Sequence, residues 1–217
     1  PVPVFNPCYT TKNPGMASNV SRNLESLGSE VELITNTGQM NKTRFVEKNS
    51  NQMLVRVDDI DKVESLQLKD IEQLPWDKYK AVVISDYNKG FLSKEIIRFI
   101  ATKHPLTFLD TKKLLGDWAE NISFIKINSE EYKKTKHALS WSMDQNLIVT
   151  LGGEGCRYQE IVYPTKKCDV QDLSGAGDTF LAGLAHKYCE TKDITEAIPF
   201  ANEVASKVVQ KPGVATI

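Results

Sequence analysis

Residues 171–185 carry the residue types of a phosphate site at the start of a helix. Gly175 and Gly177 leave backbone N–H groups uncovered by side chains, and an apolar run of helical period follows them. The first N–H groups of a helix have no partner within it, and the helix dipole is positive there, so such a site binds anions, phosphates above all. Asp178 lies at the mouth of this site, where a phosphate would repel it unless an attacking hydroxyl group lay between them. The pattern predicts phosphoryl transfer, with Asp178 accepting the hydroxyl proton.

The same stretch also fits an ordinary helix start, with Ser174 or Asp178 as the cap and the glycines as the turn. Two better-known phosphate loops are excluded. The sequence has no Gly-x-x-x-x-Gly-Lys-Ser/Thr, and Phe180 stands where Gly-x-Gly-x-x-Gly needs its third glycine. The choice between cap and phosphate site therefore depends on the rest of the chain.

The run Asp-Leu-Ser-Gly-Ala-Gly-Asp-Thr-Phe at 172–180 resembles the C-terminal signature of the ribokinase-like (PfkB) carbohydrate kinases. The resemblance implies that Asp178 is the catalytic base. It assigns the anion hole for the transferred phosphate to Gly175, Ala176 and Gly177. It also implies that Asp172 and Ser174 hold a monovalent cation such as K⁺.

A second match lies at 13–28, where apolar residues from Ala17 to Leu27 mark one face of a predicted helix that Gly28 ends. It resembles the family's Gly-Gly-x-x-x-Asn helix start, which implies that Gly15 and Asn19 bind the sugar. Pro14-Gly15 replaces the usual glycine pair and Met16 follows it, so side chains there would narrow the sugar pocket. The alternative role of Asn19 is a hydrogen bonder of the helix start.

Residues 41–46 and 52–58 alternate in polarity and flank a turn-prone triplet, so they predict a hairpin. Lys-x-Arg followed by Gln-x-x-x-Arg-x-Asp resembles one branch of the family, the heptose 7-phosphate kinases. In that branch the hairpin belongs to a lid that covers the sugar and pairs with a second subunit, which implies a homodimer through lid strands near 1–6 and 41–58. Cations suited to a substrate phosphate are Lys42, Arg44 and Arg56. The alternative is a solvated strand face with alternating charge.

Strands are predicted at 31–35, 81–85, 106–109, 122–127 and 146–150, and in open α/β sheets chemistry gathers at the carboxyl ends of strands. Ser-Asp-Tyr-x-Lys-Gly at 85–90 again resembles the heptose kinase branch. It implies that Asp86 accepts sugar hydroxyls and that Lys89 anchors the sugar phosphate. Lys112, in an Asp-Thr-Lys run where the branch usually has Asp-Pro-Lys, joins this substrate set. The alternative at 86–90 is a polar loop after a strand.

Asn128-Ser-Glu-Glu131 fits the family's Asn-x-x-Glu motif, which positions Mg²⁺ through water and the phosphates. Mg²⁺ prefers hard oxygens and keeps several waters, so few direct protein ligands are expected. The alternative for Glu131 is a solvated helix residue. The motifs together imply that ATP binds through Asn128, Thr150, Gly152, Gly155, Asn202 and Gly213.

The remaining elements are predicted from local patterns. Residues 1–5 form an edge strand at best, because proline cannot donate to a ladder. Helices are expected at 64–74 and 93–102, and a small hairpin at 157–163. In the last helical stretch, 194–210, Pro199 predicts a kink or a fresh start.

The composition limits the classes of function that the protein can have. The chain has 217 residues, 41% of them hydrophobic and 25% charged, as in an ordinary single soluble domain. A net charge of −1 argues against bulk nucleic-acid binding, and no apolar run approaches membrane-spanning length. Four cysteines without a Cys-x-x-Cys motif indicate reduced thiols in a cytosolic protein rather than a metal site.

The chain is shorter than the family it resembles. The usual first strand with its Gly-Asp pair and the helix expected after Thr35 are missing, and the stretch between Glu131 and Asn146 is abbreviated. Removal of a central strand would expose two strand edges. We therefore expect that further segments belong to the full protein, although a reduced, inactive relative is the alternative.

These patterns predict one α/β domain over 1–217, with three layers, a mainly parallel sheet and a small β lid. The expected function is an ATP-dependent, Mg²⁺-requiring sugar kinase, with heptose 7-phosphate as the favoured acceptor. The alternatives are a kinase for another sugar or a nucleoside, and a non-catalytic sugar- or nucleotide-binding relative.

Overall fold

The computed structural model describes residues 2, 4–13, 15–38, 41–50, 52–59 and 63–217. The strands in chain order are β1 Lys42–Val46, β2 Met53–Asp58, β3 Val82–Asp86, β4 Thr107–Thr111, β5 Phe124–Asn128, β6 Leu147–Thr150, β7 Cys156–Tyr158 and β8 Ile161–Tyr163. The helices are α1 Met16–Ser26, α2 Leu68–Ile71, α3 Lys94–Lys103, α4 Ser129–Thr135, α5 Trp141–Gln145, α6 Ala176–Thr191 and α7 Ile194–Val208. Single 3₁₀ turns lie at Trp76–Lys78, Asp117–Ala119, Lys136–Ala138 and Gly152–Glu154.

The central sheet has six strands in the order β3-β4-β5-β6-β7-β8. The first four are parallel, and β7 and β8 return as an antiparallel hairpin. A separate antiparallel pair, β1–β2, forms the predicted lid. Because β3 to β6 run in parallel, the residues at their carboxyl ends meet at one edge of the sheet.

Helices cover both faces of the sheet, which confirms the predicted three layers. On one face α1, α6 and α7 pack on strand residues that include Phe108, Phe124 and Ile148. On the other face α3 and its neighbours pack on Leu109, Ile125 and Ile127. The two sets alternate along β4 and β5, as expected when both faces of a strand are buried.

Helix α6 is the buried helix that the apolar run predicted. Phe180, Leu181 and Leu184 are each at most 3% exposed. Gly183 allows α7 to lie close, because a Cβ there would come within 2.6 Å of Val204 Cγ2. Helix α1 ends as predicted at Gly28, whose φ of 90° suits glycine and whose N–H donates to Glu25 O.

Two predicted strands were wrong. Residues 31–35 have no strand conformation, because β3 is the last strand on its side of the sheet and no described segment pairs with its outer edge. The described residues of 1–6 also form no strand, as the proline content favours, although Phe5 stacks on Phe45 of β1 at 5.0 Å between ring centroids. Pro1 and Pro3 lie outside the described residues.

Two predicted helices need correction. The helix expected at 64–74 shrinks to α2, because the N–H of Leu66 and the hydroxyl of Ser65 donate to the carbonyls of Phe91 and Gly90 instead of forming helical bonds. At Pro199 the sequence predicted a kink or a fresh start of the last helix. The fresh start is wrong, and the kink stays a prediction. Helix α7 continues through that residue, since Ile198 and Ala201 on either side are fully buried and hold it in place. None of the described helices is long and apolar enough to cross a membrane.

Candidate functional site

The glycine-rich turn before α6 has the geometry that a phosphate cradle needs. Gly175 is the N-cap residue and has a φ of 86°, a left-handed conformation that favours glycine. A Cβ at Gly175 would come within 2.9 Å of Asn19 Nδ2 and 3.1 Å of Val214 Cγ1. No side chain caps the helix. The N–H of Ala176 donates to Leu173 O at 3.3 Å, and side chains leave the rest of the first turn open to a ligand.

Asp178 lies in the first turn of α6 and is 4% exposed. Asn19 Nδ2 donates to its Oδ2 at 3.0 Å, and the Tyr87 hydroxyl donates to its Oδ1 at 2.7 Å. Asn19 is itself fixed, because its backbone N–H donates to Gly15 O and Asn23 Nδ2 donates to its carbonyl. Three segments far apart in sequence thus converge on one carboxylate.

Burial raises the pKa of Asp178 above the ordinary value of an aspartate. The hydrogen bonds from Asn19 and Tyr87 oppose this rise, as does the charge of Lys126, whereas the charge of Asp110 adds to it. Burial also raises the pKa of Tyr87, and the neighbouring Asp178 raises it further, so Tyr87 remains a proton donor in its hydrogen bond.

A buried ion pair lies beside this carboxylate. Lys126 Nζ donates to Asp110 Oδ2 at 2.7 Å, with the two side chains 6% and 11% exposed. The other oxygen, Asp110 Oδ1, is buried and has no hydrogen-bond partner among the described residues. The ammonium of Lys126 lies 2.8 Å from the position that a Cβ on Gly177 would occupy. Glycine at 177 therefore leaves room for this cation directly at the cradle.

These groups face a common cavity of about 390 Å³. Its walls come from the ends of β3 to β6, from the turn after β6 and from the start of α6. The lining residues are Tyr87, Asp110, Lys112, Lys126, Asn128, Ser129, Thr150, Gly152, Leu173, Gly175, Gly177 and Asp178.

The predicted substrate residues of the lid and of the loop after β3 lie at or outside the cavity. Lys42 of β1 lies over the ring of Tyr87, 5.9 Å from its centroid, which connects the lid to the site. Arg44 and Arg56 are cross-strand neighbours on the exposed lid, and Arg56 pairs with Asp58 at 2.9 Å. Lys89 is exposed in the loop after β3.

Asp86 and Lys112 have protein partners already. Asp86 is buried and accepts hydrogen bonds from Thr111 Oγ1 at 2.7 Å, Lys113 Nζ at 2.6 Å and the N–H of Asn88 at 3.0 Å. These contacts join the ends of β3 and β4. Lys112 lines the cavity and pairs with Glu131.

Asn128 and Glu131 form a capping box at the start of α4. Asn128 Oδ1 accepts from the N–H of Glu131, and Glu131 Oε2 accepts from the N–H of Asn128, both at 2.8 Å. The described residues contain no cluster of three or more His, Cys, Asp or Glu that could hold a metal ion. An Mg²⁺ ion that arrives with a nucleotide would fit this wall through its waters, because Asn128 lines the cavity and carries a hard oxygen.

The other predicted nucleotide and cation residues differ in position. Thr150 and Gly152 line the cavity. Gly155 shapes the turn after β6, since a Cβ there would lie 2.1 Å from Tyr163 O. Asn202 is buried and donates to the same carbonyl at 2.9 Å. Gly213, with a φ of 74°, has open space around it.

Asp172 Oδ1 accepts from the N–H of Ser174 at 2.7 Å, which closes the turn leading to Gly175. The predicted monovalent cation site therefore stays a prediction, with these two residues adjacent in the structure.

Five cavity residues were not among the predicted site residues: Tyr87, Asp110, Lys126, Ser129 and Leu173. Tyr87 and Asp110 belong to the motifs at 85–90 and 110–112, in which roles were assigned only to neighbouring residues. Lys126 left a clearer signal, because a lysine within the apolar run 122–127 is unusual for a strand buried on both faces.

Comparison with known proteins agrees with this geometry. Residues 116–217 match the model of the pfkB family carbohydrate kinases. This stretch belongs to a PfkB carbohydrate kinase domain. Among curated relatives, a bifunctional protein HldE of Nitratiruptor sp. is 33% identical over 93% of this chain and 54% of its own length. A bifunctional protein HldE of Helicobacter pylori is 30% identical over 98% of this chain and 58% of its own length. The chain spans roughly half the length of these relatives.

Solved structures show the same fold around this PfkB domain. A ribokinase from Thermotoga maritima superposes with a TM-score of 0.64 at 18% identity, covering 91% of this chain and 72% of that one. Arabidopsis thaliana ribokinase, solved with ribose and ATP, gives a TM-score of 0.59 at 19% identity, covering 80% and 64%. At these identities the likeness establishes the ribokinase-like fold alone.

Proposed function

We propose that this protein transfers the γ-phosphoryl group of ATP to a sugar hydroxyl, with Asp178 as the base. The observation that carries the proposal is the buried carboxylate of Asp178, held by two donors beside an uncapped helix start that opens into the cavity. An ordinary helix cap would instead use the side chain of Ser174 or Asp178 to bond the first N–H groups, and no such bond is present.

In the proposed reaction the sugar hydroxyl lies between Asp178 and the γ-phosphorus. The bond from this phosphorus to the leaving oxygen of ADP breaks as the bond to the sugar oxygen forms, and the hydroxyl proton passes to Asp178. In a loose phosphoryl-transfer transition state an ordinary carboxylate is a sufficient base. The N–H groups after Gly175 bind the oxygens of the transferred group, and Mg²⁺ enters with ATP as part of the substrate.

Heptose 7-phosphate is the acceptor that we favour. The lid cation Lys42 lies close to Tyr87, and Arg44, Arg56 and Lys89 are exposed on the lid and the loop after β3. Such cations suit a substrate that already carries a phosphate. The similarity to proteins named HldE supports the same branch. We also propose a cytoplasmic homodimer that pairs through the β1–β2 lid, whose Met53, Leu54 and Val57 are about half exposed.

A kinase for another sugar or for a nucleoside is the second candidate, because the fold is shared with a nucleoside kinase from Methanocaldococcus jannaschii at a TM-score of 0.60. An ADP-release assay over a panel of sugars, sugar phosphates and nucleosides, with Mg²⁺ and K⁺ present, separates the two. Lys89→Ala and Arg44→Ala should raise KM for heptose 7-phosphate, whereas unchanged kinetics would favour an unphosphorylated acceptor.

Asp178→Asn tests the proposed role of the base. Positioned general bases contribute about 10²–10⁴-fold, so turnover should fall on that scale while ATP still binds. Turnover equal to that of the unmodified protein would refute the role. Binding of ATP by the unmodified chain without transfer to any acceptor would indicate a non-catalytic relative.

A further inference from the structure

We propose that Lys126 is a catalytic cation that binds the transferred phosphoryl group at the glycine cradle, and that Asp110 positions its ammonium group. This inference rests on the proposed phosphoryl transfer and adds a residue to it. Asp110 of β4 and Lys126 of β5 are direct cross-strand neighbours, so their side chains lie on the same face.

The chemical character of this face changes along the strands. Two residues before each charged residue, Phe108 and Phe124 pack in the core beneath α6. At the carboxyl ends the same face presents Asp110 and Lys126, directly below the start of α6. The core would tolerate a further apolar pair here, because a buried ion pair is often no more stable than apolar residues of similar volume. The switch to charge occurs where the strands reach the cavity.

The ammonium group of Lys126 is placed for an anion. It lies 2.8 Å from the position of a Cβ on Gly177, so it stands at the backbone that forms the cradle, and it lines the cavity. It donates to Asp110 Oδ2, and an ammonium group has three donors. A phosphoryl oxygen in the cradle would accept from one of the remaining donors.

Asp110 fixes this geometry. Its bond to Lys126 holds a flexible side chain in one orientation at the cradle. Lys126 gives up no proton in the reaction. It donates hydrogen bonds to an equatorial oxygen of the group that passes from ADP to the sugar oxygen, where negative charge is spread in the transition state.

The double variant Lys126→Met/Asp110→Asn separates a catalytic role from a structural one. Each single change leaves one buried charge unpaired, so both single variants should melt at a lower temperature than the unmodified chain. The double variant removes both charges, keeps the net charge and retains similar volumes, so its melting temperature should recover. Its kcat should nevertheless stay about 10²–10³-fold low, the usual effect of losing one transition-state donor.

Calorimetric titration of the same variants with ATP and ADP supplies a readout that does not need turnover. Loss of a contact to the γ-phosphate should weaken ATP binding about tenfold relative to ADP in the double variant, an effect of roughly one charge-assisted hydrogen bond. Lys133→Met, which removes an exposed lysine of α4, is the matched control and should change neither ligand's affinity.

A double variant with the kcat and the ATP-to-ADP affinity ratio of the unmodified chain would overturn the role of Lys126, while leaving the proposed kinase activity intact. If the unmodified chain transfers no phosphate to any acceptor, the proposed function fails instead. The ratio of ATP affinity to ADP affinity then tests the role of Lys126 by itself. A ratio in the double variant equal to that of the unmodified chain refutes the phosphate contact, and a lower ratio supports it.

Discussion

Tyr87→Phe is the sharpest test of how the base is tuned. The change removes a single oxygen, the donor to Asp178 Oδ1 at 2.7 Å, and keeps the ring over which Lys42 lies. A hydrogen bond to a charged group contributes about 1.5–3 kcal/mol. At 1.36 kcal/mol per pKa unit, its loss should raise the pKa of Asp178 by about 1–2 units.

The direction of the expected change in the pH profile follows from the role of the Asp178 carboxylate. The Tyr87 hydroxyl stabilises the ionised form of Asp178, so removing it favours the protonated form, and a protonated base cannot accept the sugar proton. The acid limb of kcat/KM, measured by ADP release across pH, should therefore move about 1–2 units toward higher pH. At pH values well above the limb the variant should keep most of its activity.

Tyr79→Phe is the matched control, because its hydroxyl donates to Glu32 away from the cavity. The acid limb of that variant should not move. An acid limb that stays in place in Tyr87→Phe, or that moves toward lower pH, would show that Tyr87 does not tune the base.

Four further outcomes follow from burial and close contact. The folded-state pKa of Asp178 is raised, so the contribution of this residue to stability is largest at acid pH and declines as pH rises through that pKa. Asp178→Asn should therefore raise Tm at pH 7, by about 2–4 °C per kcal/mol of stability gained. The gain in Tm should shrink in thermal scans at acid pH. Gly177→Ala should lower kcat about 10²-fold by displacing the cation at the cradle, with little change in Tm. Gly183→Ala, in the same helix, should instead cost about 1–3 kcal/mol of unfolding free energy in a denaturant titration and leave the kcat of folded molecules unchanged. Burial raises the pKa of Cys156 to about 12, so thiol reagents should label exposed Cys8 first and reach Cys156 only on unfolding, as peptide mass mapping would show.

The local patterns predicted most of the architecture because they follow from burial. Helix α6 was predicted from the spacing of Phe180 and Leu184, and β4 to β6 from their apolar runs. The strand expected at 31–35 was wrong because a short β-prone run indicates only a tendency to pair, while pairing also needs a neighbouring strand with a free edge.

Part of the site was predictable because its residues belong to motifs that can be identified from local sequence. Asn19 and Asp178 were named from two separate motifs, and the structure joins their side chains at 3.0 Å across 159 residues of sequence. The contacts of Tyr87 and the pair Lys126–Asp110 depend on which strands are adjacent and in which register. Local spacing carries no information on sheet order, so the contacts of these three residues emerged only from the folded chain.

The hydrogen bonds on Asp86 have a consequence for redesigning this protein. Asp86 immediately precedes Tyr87, and Thr111 and Lys113 fix it from the neighbouring strand. Altering either of those two residues to accommodate a new acceptor would also disturb the tyrosine that contacts the base. Engineering of acceptor preference is therefore best confined to the lid, whose side chains can be exchanged without disturbing that anchor.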